Sequence, residues 1–362
     1  MSGFTVRGWC PDAWRPMESG DGLLVRIKPR LGRVDRDQAL ALCRLAQTYG
    51  NGLIDLTRRA NLQIRGVSEA GWPALVAELV AHGLADPDAA REARRNILIA
   101  PDWTAGDDSH RIACDLIARM GELPPLPGKV GFVIDAGHAP ILNREPGDFR
   151  IERNMSGDLI LRAEGRECGV SVPFGLEADR LIALAQWFSQ SGAARMARHG
   201  ASLPDWAEGT QHPAPARPAI APGGAALGVP FGRIEAAHLS RAITSGFRIT
   251  PWRVLLPEGP GPASLPGFIT DPSSPLLRVD ACPGAPACPQ AEVETRDLAR
   301  RLAPAVKGRL HVSGCAKLCA RSAPADITLT GRNGRFDLTT GAGPPALTDL
   351  DPAAVFAHFG VA

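Results

Sequence analysis

The alternation of apolar and polar residues predicts a chain in which strands and helices follow each other at short intervals. In the first eighty residues, apolar residues at helical spacing follow Asp35, and Gly50 ends that predicted helix. Strands are predicted over 22–28, 53–57 and 61–65, and a second helix over about 68–82. Together these elements form a β-α-β-β-α unit.

The next part of the chain has shorter apolar strands separated by amphipathic helices. Strands are predicted over 97–100, 129–135 and 159–162, and helices over 107–120 and 177–190. Strands that alternate with helices predict a layered α/β arrangement. From 200 to 223 the periodicity disappears and prolines interrupt an Ala-rich run, which is typical of a linker.

After this linker the chain repeats its first half. Phe231-Gly-Arg-Ile-Glu235 matches Leu31-Gly-Arg-Val-Asp35, and each is followed by a predicted helix and a strand that ends in threonine. Further on, 276–280, 292–302 and 326–329 match 97–101, 107–120 and 158–161. The sequence therefore predicts a tandem duplication with pseudo-twofold symmetry, and a cleft between the halves as the natural ligand site.

The predicted boundaries follow this repeat. The chain divides into an N-terminal segment with a first half-domain (1–82), a first α/β domain (83–199), a linker (200–223), a second half-domain (224–270) and a second α/β domain (271–362).

Four of the eight cysteines gather in the last of these domains. Cys282 and Cys288 form a Cys-x5-Cys pair, and after 26 residues Cys315 and Cys319 form a Cys-x3-Cys pair. Four thiolates from two loops can hold a [4Fe–4S] cluster, with one cysteine for each iron. Structural zinc usually brings a tighter Cys-x2-4-Cys pair, disulfide frameworks suit short secreted chains, and inert buried thiols would not pair at this density. We favour the [4Fe–4S] cluster over these three alternatives.

Composition adds little about partners. The chain has 44% hydrophobic residues but no apolar run of membrane-spanning length, and no basic segment that leads into an apolar one. A net charge of +2 gives no argument for nucleic acid or a membrane surface. We therefore expect a soluble, cytoplasmic protein. Of 40 basic residues only four are lysine, and arginine forks match carboxylates bidentately.

Several of these stretches resemble the sirohaem nitrite and sulfite reductase-like superfamily. The segment from Thr57 to Gly66 is similar to its Thr-x-Arg-x-Asn-x-Gln-x-x-Gly motif, and both cysteine pairs are similar to its cluster ligands. Arg95-Asn-Ile-Leu and Leu126-Pro-Gly-Lys129 resemble two further segments. The resemblance implies an α+β, tandem-duplicated nitrite/sulfite reductase-like fold, with two ferredoxin-like half-domains and two α/β domains of the cluster and tetrapyrrole type.

Within the superfamily the chain resembles the precorrin-3B synthase family of aerobic cobalamin biosynthesis. This resemblance rests on the opening from Cys10 to Arg26 and on Ala316-Lys317, where the reductases usually have Pro-Asn. It implies a monooxygenase that converts precorrin-3A with O2 and two electrons into the C20-hydroxylated γ-lactone precorrin-3B. It also implies a [4Fe–4S] cluster on Cys282, Cys288, Cys315 and Cys319, and a non-haem iron whose ligands the sequence does not indicate.

The site residues follow from the same resemblance. Arg59, Arg95 and Lys129 are the first candidates to bind the carboxylates of precorrin-3A, and Arg65 and Arg58 are weaker ones. The reductases present a second lysine where this chain has Gly131, which argues against their small-anion chemistry. A sirohaem-dependent nitrite or sulfite reductase, and an iron–sulfur carrier or tetrapyrrole-binding protein without activity, remain the alternatives.

Three smaller predictions complete the site. No Gly-x-Gly-x-x-Gly segment follows a strand, so reducing equivalents that originate from NADH would arrive through a separate reductase or ferredoxin. His311, the histidine nearest the cluster cysteines, is expected to be a structural residue with its hydrogen bonds made. Lys317 either raises the potential of the cluster or is an ordinary surface lysine.

Overall fold

The computed structural model of the protein describes residues 10–259, 265–321 and 323–361. The ends of the predicted first and last domains, and 260–264 within the predicted second half-domain, therefore lie outside the described residues. None of the described helices is long and apolar enough to cross a membrane.

The elements follow the predicted alternation of strands and helices. The strands are β1 (Met17–Ser19), β2 (Gly22–Ile27), β3 (Arg33–Val34), β4 (Leu53–Leu56), β5 (Leu62–Val67), β6 (Ile97–Ile99), β7 (Phe132–Asp135), β8 (Phe149–Arg153), β9 (Leu159–Ala163), β10 (Val170–Ser171), β11 (Leu227–Gly228), β12 (Arg233–Glu235), β13 (Phe247–Ile249), β14 (Val254–Pro257), β15 (Val279–Ala281), β16 (Leu310–Ser313), β17 (Ile327–Arg332), β18 (Arg335–Thr340) and β19 (Leu347–Leu350). The helices are α1 (Arg36–Tyr49), α2 (Trp72–Ala81), α3 (Ala89–Arg94), α4 (Asp108–Ala118), α5 (Glu177–Ser189), α6 (Ala236–Ala242), α7 (Arg296–Leu302) and α8 (Pro352–His358).

Two antiparallel sheets join the halves of the chain. Their strand orders are β1-β2-β5-β4-β12 and β11-β14-β13-β3. Strand β12 of the second half pairs with β4, and strand β3 of the first half pairs with β13, so each half completes a sheet of the other. Helix α1 packs against α6, and one continuous core contains Leu42 and Ile54 together with Leu239 and Ile249. The half-domains therefore form a single packed unit.

The repeated Gly-Arg motif introduces both exchanged strands. A single 3₁₀ turn precedes each of them, over Arg30–Gly32 and Pro230–Gly232. Leu31 and Phe231 occupy the same left-handed backbone conformation, with φ of 57° and 54°. Non-glycine residues seldom adopt this conformation, and its recurrence at equivalent positions supports the predicted duplication.

Two mixed sheets form the α/β parts, and each has its own core. Their orders are β10-β9-β8-β7-β6 and β15-β16-β17-β18-β19. In both, the first three strands in chain order are parallel and the remaining pairings are antiparallel. The predicted match of 326–329 with 158–161 is wrong by one strand, because β17 takes the place of β8 and β18 that of β9. Strand β8 was absent from the predicted set, and its omission caused the shift.

Local chemistry places two helix starts later than their periodicity predicts. The helix predicted from 68 begins at Trp72, since the Ser68 hydroxyl accepts a hydrogen bond from the Gly71 N–H (3.0 Å) and forms a turn first. The helix predicted from 292 begins at Arg296. Helix α1 begins where predicted, with Asp35 and Gln38 in a reciprocal capping box.

The Pro-rich segment 200–223 has almost no regular structure, but it lies on the first α/β sheet. Its Gln211 pairs with Gly169 in an isolated bridge, and Leu203 and Ala207 are buried in the core of that sheet. The Arg217 side chain donates to the Ala139 carbonyl (3.0 Å) and to Asp102 (2.7 Å). The predicted linker is thus a strap along the first half.

The duplication supplies a matched pair for testing the helix cap. The Asp35 carboxylate accepts a hydrogen bond from the Gln38 N–H (2.8 Å), whereas its counterpart Glu235 makes no capping bond to α6. We expect Asp35→Ala to lower the free energy of unfolding by about 1 kcal/mol. Glu235→Ala should change it much less, as measured by urea denaturation. Equal losses in both variants would contradict this assignment.

Candidate functional site

The two cysteine pairs follow neighbouring parallel strands. Cys282 comes directly after β15 and Cys315 two residues after β16, and these strands pair in parallel with Ala281 opposite Val312. The carboxyl ends of parallel strands meet at one edge of a sheet, so both loops start from the same edge. All eight cysteines are free thiols within the described residues.

The four thiols of these loops influence one another. A hydrogen bond with Cys319 is the main cause that lowers the pKa of Cys282 to about 6, and the Gly314 N–H, 3.1 Å from its Sγ, also contributes. The pKa of Cys319 is raised by that same bond, by burial and by the nearby Cys288 and Cys315. The fold therefore brings together the four cysteines that the sequence singled out.

The loops also have the close packing that a thiolate-bound cluster requires. A Cβ atom on Gly284 would lie 2.7 Å from the Thr295 Oγ1, and one on Gly314 would lie 2.6 Å from the Ala291 Cβ. The Gly314 N–H that points at Cys282 is the kind of hydrogen bond that tunes cluster sulfur. Across the described residues no three Cys, His, Asp or Glu side chains gather around a point suited to one metal ion. Four cysteines at one edge instead fit a polynuclear cluster, whose irons each take one thiolate.

The first cysteine loop is attached to the first half of the chain through one carbonyl. The Ala287 oxygen accepts hydrogen bonds from the Arg65 guanidinium (2.7 Å), the Ser19 hydroxyl (2.7 Å) and the Gly20 N–H (3.2 Å). Arg65 is only 3% exposed and also binds Asp21 at 2.7 Å. These contacts do not support the prediction that Arg65 binds a ligand carboxylate. Its donors are used inside the protein, where they fix the cysteine loop.

A cavity of about 560 Å³, here called the Cys319 cavity, opens beside the second pair of cysteines. Cationic side chains and threonine hydroxyls dominate its wall, and no Asp or Glu lines it. Its described lining residues are Arg58, His311, Lys317, Leu318, Cys319, Arg321, Ala323, Pro324, Thr328, Thr330, Thr339, Gly341, Ala342 and Gly343. Arg58 belongs to the first half and is 54% exposed, so the cavity lies at the seam between the halves.

His311 departs from the expectation of a satisfied structural histidine. It is 2% exposed and lines the Cys319 cavity, yet its Nε2 has no hydrogen-bond partner in the described structure. Burial lowers its pKa, and the neighbouring Arg321 and Arg253 act in the same direction. The imidazole is thus a neutral group at the cavity wall. Lys317 is exposed at the same wall.

The other predicted arginines gather on the first half. The Arg59 guanidinium donates to the Lys129 backbone carbonyl (2.7 Å), so these two candidates are adjacent. Arg95 instead pairs with the buried Glu92 (2.5 Å). Burial lowers the pKa of Arg59, an effect that the positive charge of Arg195 reinforces. Burial of a charged guanidinium costs free energy, and pairing with an anionic ligand would offset that cost.

The sequence interpretation missed two further cations in this group. Arg26 lies beside Arg59, and Lys28 lies beside Arg26 and Arg95. The Lys28 ammonium is 4% exposed and donates to the Glu92 carbonyl (2.7 Å). Arg26 lies on β2 and Lys28 directly follows its last residue, so the two are spaced two positions apart, and that alternation was a signal in the sequence. We call Arg26, Lys28, Arg59 and Arg95 the first-half cation cluster.

Gly131 lies next to this cluster. A Cβ atom at Gly131 would lie 3.0 Å from the Asn96 carbonyl oxygen and 3.4 Å from an Arg59 nitrogen. A side chain at this position would require its neighbours to shift by a few tenths of an ångström. This crowding accords with glycine at the position where the reductases have their second lysine.

Two of the scattered cysteines have environments unlike those of the four gathered ones. Cys43 is buried on α1, and burial raises its pKa to about 12, so its thiol is unreactive. Cys114 lies on α4 with its sulfur 3.7 Å from His110. Both lie on helices, but only Cys43 is fully buried.

Comparison with known proteins agrees with the fold. Residues 15–82 match the nitrite/sulfite reductase ferredoxin-like half domain. The chain is 29% identical to a precorrin-3B synthase of Sinorhizobium sp., over 95% of this chain and 85% of that protein. It is 24% identical to a ferredoxin–nitrite reductase of Synechococcus elongatus, over 91% of this chain and 80% of that protein. The structure of the Mycobacterium tuberculosis NirA protein superposes with a TM-score of 0.62 at 17% identity, covering 92% of this chain and 79% of that one.

The buried Lys28 generates a test of the first-half cation cluster. Burial lowers its pKa from 10.5 to about 8. Between these pH values the unfolded chain binds more protons than the folded one, so stability rises with pH in this window. We expect the wild-type protein to gain, relative to Lys28→Met, roughly 3 kcal/mol from pH 8 to pH 10.5. Parallel pH dependence in urea denaturation of the two proteins would refute the burial of this charge.

Proposed function

We propose that the protein inserts oxygen into an acidic tetrapyrrole. The proposal starts from the match of residues 15–82 to the nitrite/sulfite reductase ferredoxin-like half domain and from the similarity of nearly the whole chain to a precorrin-3B synthase. The proposed reaction converts precorrin-3A, O2, two electrons and two protons into precorrin-3B and water. One oxygen atom becomes the C20 hydroxyl group, and the ring A acetate closes a γ-lactone.

The observation that carries this proposal is the position of the Cys319 cavity. It combines Arg58, Lys317 and Arg321 with threonine hydroxyls, directly beside a cysteine proposed as a cluster ligand. Cationic groups without a lining carboxylate suit a ligand that carries several carboxylates. Precorrin-3A, with its acetate and propionate side chains, is such a ligand.

The first-half cation cluster supplies the second set of contacts. Arg59 and Lys129 lie on the first half, whereas Lys317 and Arg321 lie on the second. Arg58 directly precedes Arg59 in the turn between β4 and β5, and it reaches the Cys319 cavity. A macrocycle with carboxylates around its rim would engage cations of both halves, which would hold its bridge carbons in a fixed orientation.

Cys282, Cys288, Cys315 and Cys319 would hold the [4Fe–4S] cluster, which when bound supplies electrons one at a time. Of the four cysteines, Cys319 lines the cavity, and the Gly314 N–H and Arg65 fix the cysteine loops. Electrons that originate from NADH would come from a separate reductase or ferredoxin, since the sequence has no dinucleotide-binding loop.

The implied non-haem iron finds no support in the site. No three Cys, His, Asp or Glu residues of the described chain are grouped to bind one ion. His311 offers one unpartnered nitrogen, but no carboxylate lines the Cys319 cavity with it. We assign no ligands to this iron and derive no step from it.

A sirohaem-dependent nitrite or sulfite reductase is the second candidate, favoured by the 24% identical nitrite reductase that spans 91% of the chain. The crowded Gly131 argues against it, because the pocket lacks the second ammonium that would hold a small anion. A Soret band and a red sirohaem band that survive desalting would support the reductase. A broad cluster absorbance alone would support the monooxygenase.

The decisive assay incubates the iron-reconstituted protein with precorrin-3A, O2 and a reductant. We expect a product whose mass has increased by one oxygen atom and whose ring carries the lactone. An iron–sulfur carrier or a tetrapyrrole-binding protein without activity would return precorrin-3A unchanged, and this result would reject the proposed function.

The cysteines provide a matched set of variants for this assay. We expect Cys315→Ala and Cys319→Ala to lose bound inorganic sulfide and oxygen insertion together. Cys43→Ala and Cys114→Ala should retain the sulfide content and the visible spectrum of the wild type, because they lie on helices away from the loops. Loss of sulfide in Cys114→Ala would show that the proposed ligand set is incomplete.

A further inference from the structure

Glu145 lies where the equivalent turns of the two halves come together. In the first turn the Thr57 hydroxyl accepts hydrogen bonds from the backbone of Arg59 and Asn61, and in the second the Thr250 hydroxyl accepts from Trp252 and Val254. Both turns contain a residue with positive φ, Ala60 at 51° and Arg253 at 60°. They present Arg58 from one half and Trp252 from the other to the same carboxylate.

The Glu145 carboxylate is buried with few partners. Its residue is 7% exposed, and Oε1 accepts one hydrogen bond from the Trp252 indole N–H (2.9 Å). Oε2 is buried and has no hydrogen bond within the described structure. The nearest cation is Arg58, with its Nη2 3.7 Å from Oε2. Arg150 on β8 also faces the group, but its guanidinium donates to the Leu142 and Glu145 carbonyls and to Glu164.

Arg58 therefore has two possible partners. Its side chain is 54% exposed and lines the Cys319 cavity, so a ligand carboxylate in that cavity can compete with Glu145 for it. An unhydrated carboxylate that loses its main counter-charge favours the protonated form. Burial already raises the pKa of Glu145, and Arg58 is the strongest influence that opposes this shift.

We propose that Glu145 takes up one proton when a carboxylate of the ligand binds Arg58. This inference rests on the proposed function in taking the ligand to be an acidic macrocycle. The exchange balances: the Arg58 cation leaves the Glu145 anion for the ligand anion, and one proton from solvent neutralises Glu145. Ligand binding thus adds a proton next to the cavity, where the proposed reaction consumes two.

The first experiment needs no ligand. Infrared spectroscopy follows the carbonyl stretch of protonated Glu145 through a pH titration of the wild type and of Arg58→Gln, with Glu145→Gln to assign the band. We expect the midpoint in Arg58→Gln to lie at least one pH unit higher, a tenfold change in proton affinity. Arg144→Gln removes the adjacent exposed arginine and should leave the midpoint unchanged. Equal midpoints in the wild type and Arg58→Gln would overturn the inference.

The second experiment uses uroporphyrin, a macrocycle with acetate and propionate side chains, as the probe. Calorimetric titrations in buffers of different ionisation enthalpy measure proton uptake on binding. We expect uptake of up to one proton by the wild type and none by Glu145→Gln, which should bind the probe more tightly and with less pH dependence. Binding without proton uptake by the wild type overturns the inference and leaves the proposed function intact. Absence of precorrin-3A oxidation, with the infrared shift present, counts against the proposed function only.

Discussion

Each half of the molecule completes a sheet of the other, and the position of the site depends on this exchange. Strand β12 adds to β4 and strand β3 adds to β13, so the two half-domains cannot separate without breaking both sheets. The turns that follow β4 and β13 are consequently held side by side. Arg58 of one turn reaches the cavity beside Cys319, and Trp252 of the other reaches Glu145. A site that takes residues from both halves depends on the exchanged strands to keep these two turns in a fixed relative position.

Among the described residues near the junction of the halves, several arginines share two carboxylates, those of Asp55 and Asp280. Burial works to raise the pKa of Asp55, yet Arg233, Arg296 and Arg65 together lower it. Arg296 is only partly compensated: burial lowers its pKa to about 10, its Nη1 lies 3.7 Å from Asp55, and neither its Nε nor its Nη1 has a hydrogen-bond partner in the described structure. In the second half of the chain, the Asp280 carboxylate forms ion pairs with Arg253, Arg309 and Arg321. Where several arginines share so few carboxylates, a bound anion would lessen their mutual repulsion.

The sequence predicted the parts of the fold that depend on local spacing. The capping of α1, the repeat of Leu31–Asp35 in Phe231–Glu235 and the gathering of the cysteines all follow from short motifs. It did not predict β8, although Phe149-Arg-Ile-Glu-Arg153 alternates apolar and polar residues; both faces of this strand are buried, and its charged positions Arg150 and Glu152 are 1% exposed. It assigned Arg65 to the ligand because a motif position does not reveal that Asp21 and Ala287 use its donors. Glu145 had no local signal at all, since its partners lie 87 and 107 positions away along the chain.

Gly131 has a consequence for how this protein could change in evolution. A Cβ atom at this position would lie 3.0 Å from the Asn96 carbonyl oxygen and 3.4 Å from an Arg59 nitrogen. A substitution to lysine would therefore make the Asn96 backbone shift by a few tenths of an ångström and would place a second cation beside Arg59, at a cost in stability. Acquiring a lysine at position 131 would thus require compensating changes in these neighbours.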